Sequence, residues 1–236
     1  MLPGHPTLVN CPHCGAPKYI ESILSGNTMG QMIWSDTYRD FPMLPMPSRI
    51  MHCKHCGRYF FYEDARPTEE DAEEIDHLFS TYNPDQSDRK RAIRDEADEN
   101  GFGELSFQEA DEAFRTLYSR RLRRKRRRLL LFTWLFKFND EFGGRETFKE
   151  PSPEILEQRE IVAKRIIRMY PFNRLLIAEL HREMGHFKKC IAILRCFPLW
   201  PGLTKAFTAR QIRAYAEADR DDVFRVKLWW ESSLLH

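Results

Sequence analysis

Cys11-Pro12-His13-Cys14-Gly15 and Cys53-Lys54-His55-Cys56-Gly57 are one short motif written twice, with 38 residues between Cys14 and Cys53. Two C-x-x-C pairs so placed are metal-ligand spacing, because each tight turn offers two thiolates and two turns complete a tetrahedral shell. A shell closed by four protein sulfurs leaves no position for water or substrate, which is the arrangement of a structural ion rather than a catalytic one. The glycine after each pair suits the turn, since without a Cβ the backbone can bring N–H groups against sulfur. The spacing therefore predicts one structural Zn2+ held by Cys11, Cys14, Cys53 and Cys56. Two alternatives use the same residues. Disulfides are disfavoured in a cytosolic chain, and a rubredoxin-like iron centre has the same ligand set, so that metal supply would select it. His13, His52 and His55 lie in or beside the turns, but with four sulfurs in the shell their rings are expected to point outward.

Between the pairs, Lys18 to Leu24 and Met29 to Trp34 flank Ser25-Gly26-Asn27-Thr28, whose Gly-Asn suits a hairpin turn. Arg49 to His52 and Arg58 to Tyr62 read as further strands, whereas the proline-rich Phe41 to Pro47 reads as an extended loop. The expectation is a small antiparallel sheet over residues 1–64, too poor in apolar residues to be stable without its metal. The order CPHCG, SGNT (Ser25 to Thr28), WSD (Trp34 to Asp36), a proline-rich loop and CKHCGRYFF (Cys53 to Phe61) resembles a group of bacterial zinc-ribbon proteins that carry a helical C-terminal region. The resemblance implies the fold and its location in the chain, and implies no reaction.

Charge is strongly segregated beyond this region. Glu63 to Glu112 holds 18 acidic and 5 basic residues, a net of −13, while Ala113 to Arg128 holds nine basic residues and no acid. The run Arg120, Arg121, Arg123, Arg124, Lys125, Arg126, Arg127 and Arg128 has three readings, one of them a targeting signal or attachment to an anionic membrane surface. It can answer the acidic stretch upstream as a solvated helix face, or it can contact the phosphates of a nucleic acid, with Tyr19, Trp34, Tyr59 and Phe60 available to stack on bases. Thr68 with Asp71, and Ser106 with Glu109, have the form of capping boxes, opening helices over Glu69 to Phe79 and from Phe107 to about Phe138. Asp98 to Glu109 resembles a calcium-binding loop, but Phe102 occupies a ligand position and offers no oxygen, so Ca2+ is not expected. Residues 65–112 are read as an acidic helical linker and 113–236 as an α-helical domain.

Ser152-Pro153 is an N-cap followed by proline at the first helical position, opening a helix through Met169. Leu175 to Leu180 and Gly185 to Leu194 resemble one tetratricopeptide helical hairpin, with Ile177, Ala178, Phe187, Cys190 and Leu194 at its packing positions. Arg174 and Phe197 depart from that pattern, and no second copy follows. Thr204 to Ala218 reads as one more helix, and Cys190 and Cys196 as buried thiols. In His181-Arg-Glu183-Met-Gly-His186 the histidines are five apart, not the four of a zincin helix, and Gly185 ends the helix between them. With no Walker loop, nucleophile elbow or dinucleotide fingerprint, no enzymatic activity is expected.

Composition sets the outer bounds. The 236 residues are 42% hydrophobic and 13% aromatic with a net charge of +2, enough apolar content for a folded core. The longest apolar run, Leu129 to Phe138, is ten residues and includes Thr133 and Lys137, too short to span a bilayer. The first residues have neither a basic nor an apolar leader segment, and a cytoplasmic location is expected. The sequence thus points to an α+β protein: an antiparallel β zinc ribbon, then a mainly helical, tetratricopeptide-like domain that engages a protein partner without catalysis. The nucleic-acid and iron electron-transfer readings are the alternatives.

Overall fold

The computed structural model describes residues 2–3, 7–20, 23–27, 31–36, 38–40, 49–67, 87–100, 105–144, 149–195 and 203–226. Short antiparallel strands come first and helices follow, an α+β chain. It divides into two compact units: residues 1–31 with 41–130, and residues 32–40 with 131–236. Among the described residues no helix is long and apolar enough to cross a membrane.

In the first unit each cysteine pair is the turn of its own hairpin. β2 (Thr7–Asn10) pairs with β3 (Pro17–Ile20) across Cys11 to Ala16, in register Thr7 to Ile20 and Asn10 to Pro17. β7 (Ile50–His52) pairs with β8 (Tyr59–Phe61) across Cys53 to Arg58. β1 (Leu2–Pro3) pairs with β4 (Ile23–Ser25), and β9 (Arg66–Pro67) lies along β2, while β5 (Met32–Ile33) pairs with β6 (Arg39–Asp40) in the second unit. The hairpin expected across Ser25 to Thr28 is thus not the pairing found. β3 is taken by β2, because the turn between them closes a loop of only a few residues and costs little entropy.

Val9, Cys11, Ile20, Met51, Cys53 and Phe60 form one buried cluster, flanked by Ala16, Cys56 and Ala65. Two of the candidate ligands are therefore core residues. Helix α1 (Ser87–Asn100) packs against β3, and α2 (Phe107–Leu117) against β8. The N-terminus of α2 carries the expected capping box: Ser106 Oγ accepts from the Glu109 N–H, and the Glu109 carboxylate accepts from the Ser106 N–H at 2.9 Å.

The helix expected to run unbroken from Phe107 to Phe138 is interrupted, α2 ending at Leu117 and α3 (Arg124–Glu141) starting after a break. Tyr118 turns extended, with ψ at 117°. Ser119 then holds the break closed, its Oγ accepting from the Arg121 N–H and its carbonyl from the Leu122 N–H. Serine competes with helical bonding in this way, and a helix continued through Arg120 to Arg128 would stack like charges at i, i+3 and i+4. The expected helix Glu69 to Phe79 with its Thr68 cap, the Phe41 to Pro47 loop, Cys196, and Gly101 to Glu104 of the calcium-like loop lie outside the described residues.

In the second unit α4 (Pro153–Met169) begins as expected, the Ser152 side chain accepting from the Ile155 N–H with Pro153 in the first turn. Its buried face is Val162, Ala163 and Ile166, while Leu156 and Ile161 stay exposed. α5 (Arg174–Glu183), α6 (Phe187–Arg195) and α7 (Leu203–Glu217) pack together. Ala178, Cys190, Leu194, Ala209, Ile212 and Ala216 make their core with Phe224 and Val226. Main-chain bonds from Ser35 N–H to the Phe224 carbonyl and from Val226 N–H to the Ile33 carbonyl tie the insert from the cysteine region into this unit.

Charged groups are buried here as well. Asp36, fully buried, accepts from the Tyr38 N–H at 3.0 Å and from Asn139 Nδ2 at 2.8 Å. Glu183 is 1% exposed, neither carboxylate oxygen has a hydrogen-bond donor, and its nearest cation, Arg159, is 4.0 Å away. Burial, with Glu179 and Asp36 adding to it, pushes the Glu183 carboxyl up to about 8 against the attraction of Arg159 and Arg182. An acid whose folded pKa lies above the ordinary 4.5 favours the folded state fully below that value, and loses the benefit as pH climbs through about 8. The thermal transition of the helical unit should therefore come at lower temperature at alkaline than at mildly acidic pH. Glu183→Gln, a neutral mimic of the protonated acid, should flatten that dependence and gain about 1–3 kcal/mol on the alkaline side. An unchanged pH profile in the variant would show that Glu183 is not the group responsible.

Candidate metal centre

The two hairpin turns have the same hydrogen bonding. Cys11 N–H donates to the Ala16 carbonyl and Gly15 N–H to the Cys11 carbonyl; Cys53 N–H donates to Arg58 and Gly57 N–H to Cys53 in the same way. Gly15 and Gly57 take φ of +74° and +67°, the left-handed region in which a side chain would be strained. Each turn thereby holds its two sulfurs on one side.

Across the turns Cys11 Sγ lies 3.9 Å from Cys56 Sγ and Cys14 Sγ 3.7 Å from Cys53 Sγ. All four sulfurs fall within 4.8 Å of one another. A tetrahedral ion with sulfur bonds of about 2.3 Å has sulfur–sulfur edges of about 3.8 Å, so the four residues fit such an ion. Among the described residues this is the one group of three or more His, Cys, Asp or Glu side chains whose ligand atoms lie close enough to share a metal.

The electrostatics suit a cation too. Burial raises the Cys53 thiol, but hydrogen bonds from the backbone of Cys56 and His55 and from the Cys56 and Cys11 side chains together outweigh it and hold Cys53 at about 7. At Cys14 a backbone hydrogen bond at Ala16 works downward, yet desolvation and the three neighbouring sulfurs carry the thiol up to about 12. Thiolates this close repel one another, and a divalent ion is the natural counter-charge. The His13 N–H reaches Cys11 Sγ at 3.5 Å, and half-buried Lys18 donates to the His52 carbonyl at 3.1 Å. His52 and His13 are engaged elsewhere. His52 stacks on Tyr59 at 4.5 Å with Nδ1 3.6 Å from Glu109, and His13 meets Phe60 edge-on. Glu109, the last position of the calcium-like loop, thus divides its carboxylate between the helix cap and His52.

The basic run is partly internal. Lys125 Nζ lies 2.9 Å from Glu63, Arg126 pairs with Asp64 while its guanidinium covers the Phe61 ring at 4.6 Å, and Arg127 is half-buried. Glu63 also pairs with Arg49, and these cations hold its carboxyl below the usual range, with the Lys125 hydrogen bond contributing most. Arg120, Arg121 and Arg123 are exposed in the break before α3, and Arg124 and Arg128 are exposed on it. Tyr59 and Phe60 are buried, so they present no stacking surface, and Tyr19 and Trp34 are half-buried.

One arrangement escaped the sequence reading. His181 and His186, set apart there because their spacing does not fit a continuous helix, stand with Nδ1 atoms 3.4 Å apart. The glycine before His186 was the available signal, since a left-handed residue after a helix folds the next side chain back onto its last turn.

Compared with protein-family models, curated proteins and solved structures, the chain matches none of them.

Proposed function

We propose that this chain is a non-enzymatic protein of a reducing compartment, with one structural zinc ion on Cys11, Cys14, Cys53 and Cys56, whose helical unit docks onto a protein partner. The observation that carries the reading is the set of four sulfurs within 4.8 Å of one another, drawn from two like turns, with the two cross-turn pairs at 3.9 and 3.7 Å. Cys11 and Cys53 belong to the apolar core as well. An ion there would join the two hairpins at the point where their packing meets, which is a structural duty. Zinc is favoured over iron because it suits a closed thiolate shell without needing an electron partner.

Support for docking comes from exposed apolar side chains. Of four large ones among the described residues, three (Leu156, Ile161 and Phe172) lie on α4 or in the turn after it, and Phe172 is 94% exposed. The α5–α6 pair that follows is the segment whose sequence resembles a tetratricopeptide hairpin, and that resemblance supports the same reading.

Metal analysis of the purified protein should give one zinc per chain and no colour; a red iron protein would replace this reading with the electron-transfer one. A partner retained by the wild type should be lost with Phe172→Asp, with zinc content unchanged. Tight binding of short nucleic acids at about 50 mM salt that collapses near 200 mM, and disappears on changing Arg120, Arg121 and Arg123 to Gln, would instead make the chain a nucleic-acid-binding protein.

A further inference from the structure

We propose that His181 and His186 form a second, exchangeable metal site, which takes a borderline divalent cation, Zn2+ above all, through their two Nδ1 atoms. Gly185 has φ of +72°, its N–H donates to the Arg182 carbonyl at 2.8 Å, and the His186 N–H donates to the His181 carbonyl at 2.8 Å. That double bond pattern is a Schellman motif, in which the side chain two beyond the cap residue packs against the one in the last turn, usually as an apolar contact. Here both positions of the contact pair are histidines. The motif therefore brings the two imidazoles together through backbone geometry, with ring centroids 5.6 Å apart and the ring planes tilted by 46°.

The separation of the nitrogens matches one metal geometry. Bonds of about 2.0–2.1 Å meeting at a tetrahedral angle place two nitrogens about 3.3–3.4 Å apart, and the Nδ1 atoms are 3.4 Å apart. The right-angle geometry that Cu2+ and Ni2+ favour requires about 2.9 Å, so those ions would have to draw the rings together. At 3.4 Å a direct ring-to-ring hydrogen bond is at its outer limit. His186 is exposed and His181 half-buried, which leaves the ion's two remaining positions to water. The class of site is thus open and labile, unlike the closed sulfur shell.

The test uses the full-length protein with its cysteine centre filled, titrated with Zn2+ against a chromophoric chelator at about pH 7.5. A second, weaker equivalent is expected, its affinity falling about tenfold or more in both His186→Ala and His181→Asn while the first equivalent stays. Melting curves confirm that the variants fold, and His186→Gln serves if His181→Asn does not. Ring signals of His181 and His186 should be the histidine resonances that zinc shifts first in the wild type, a readout that stands whatever metal the cysteines hold. No second equivalent up to about 1 mM zinc, or one that both variants retain at full affinity, would overturn the proposal.

Discussion

Cys53→Ser should abolish the folding of the cysteine hairpins rather than weaken it. Cys53 is buried, supplies one of the four sulfurs, and packs in the same cluster as Val9, Ile20, Met51 and Phe60. The strands around it are three or four residues long, and sheets of this size are marginal without a staple. Structural zinc contributes on the order of 10 kcal/mol to such small folds, more than the net stability of a typical domain. Loss of zinc from purified Cys53→Ser, with rapid proteolysis within residues 7–67, is the expected result. Acidification should do the same reversibly, because the sulfurs bind metal as thiolates and protons compete for them. Cys190→Ala is the control: its thiol is buried in the helical core, far up the acidity scale at about 12, and its loss should cost about 1–2 kcal/mol with zinc retained. Hairpins that survive Cys53→Ser with full protease resistance would refute a folding role for the centre.

The second large effect lies in the helical unit. Arg182 is fully buried and bidentate to Glu179, with Nε to Oε2 at 2.9 Å and Nη2 to Oε1 at 2.6 Å. Its remaining nitrogen donates to the Arg220 carbonyl at 2.6 Å, and its guanidinium lies 5.1 Å from the Phe224 ring centroid. Burial works to neutralise Arg182, but the Glu179 hydrogen bonds and charge raise its pKa well above the ordinary value. Arg182→Met would strand the Glu179 carboxylate in the interior and should cost about 3–5 kcal/mol, read as the free energy of unfolding in urea. Glu179→Gln combined with Arg182→Met removes both charges, so the pair should recover much of that loss. A double variant as unstable as the single one would show that packing, not the stranded charge, sets the cost.

Much of this was legible in the sequence where the signal is local. The Ser106–Glu109 box and the Ser152-Pro153 start each concern one turn of chain, and both helices begin where those residues say. The α6 positions Cys190 and Leu194 are buried as helical spacing requires. Errors arose where a competing short-range bond or a distant partner entered. Ser119 broke a helix whose apolar periodicity ran straight through it. The turns at the cysteines took β3 before any hairpin at Ser25 to Thr28 could claim it.

By itself the sequence determined the four-cysteine cluster that could hold a metal ion, because C-x-x-C-Gly written twice carries the four sulfurs and, within a few residues of each, their turn geometry. It also determined that short strands come first and helices follow. Only the tertiary structure decided where Ile33, Ser35 and Asp36 belong: they follow the first cysteine turn in sequence, yet are tied to Val226, Phe224 and Asn139 of the helical unit. Which arginines meet acids, and that Glu183 would be buried without a donor, were likewise decided there. A side chain's neighbours across 60 to 190 residues of chain depend on how elements pack, and no local pattern of charge or hydropathy encodes that.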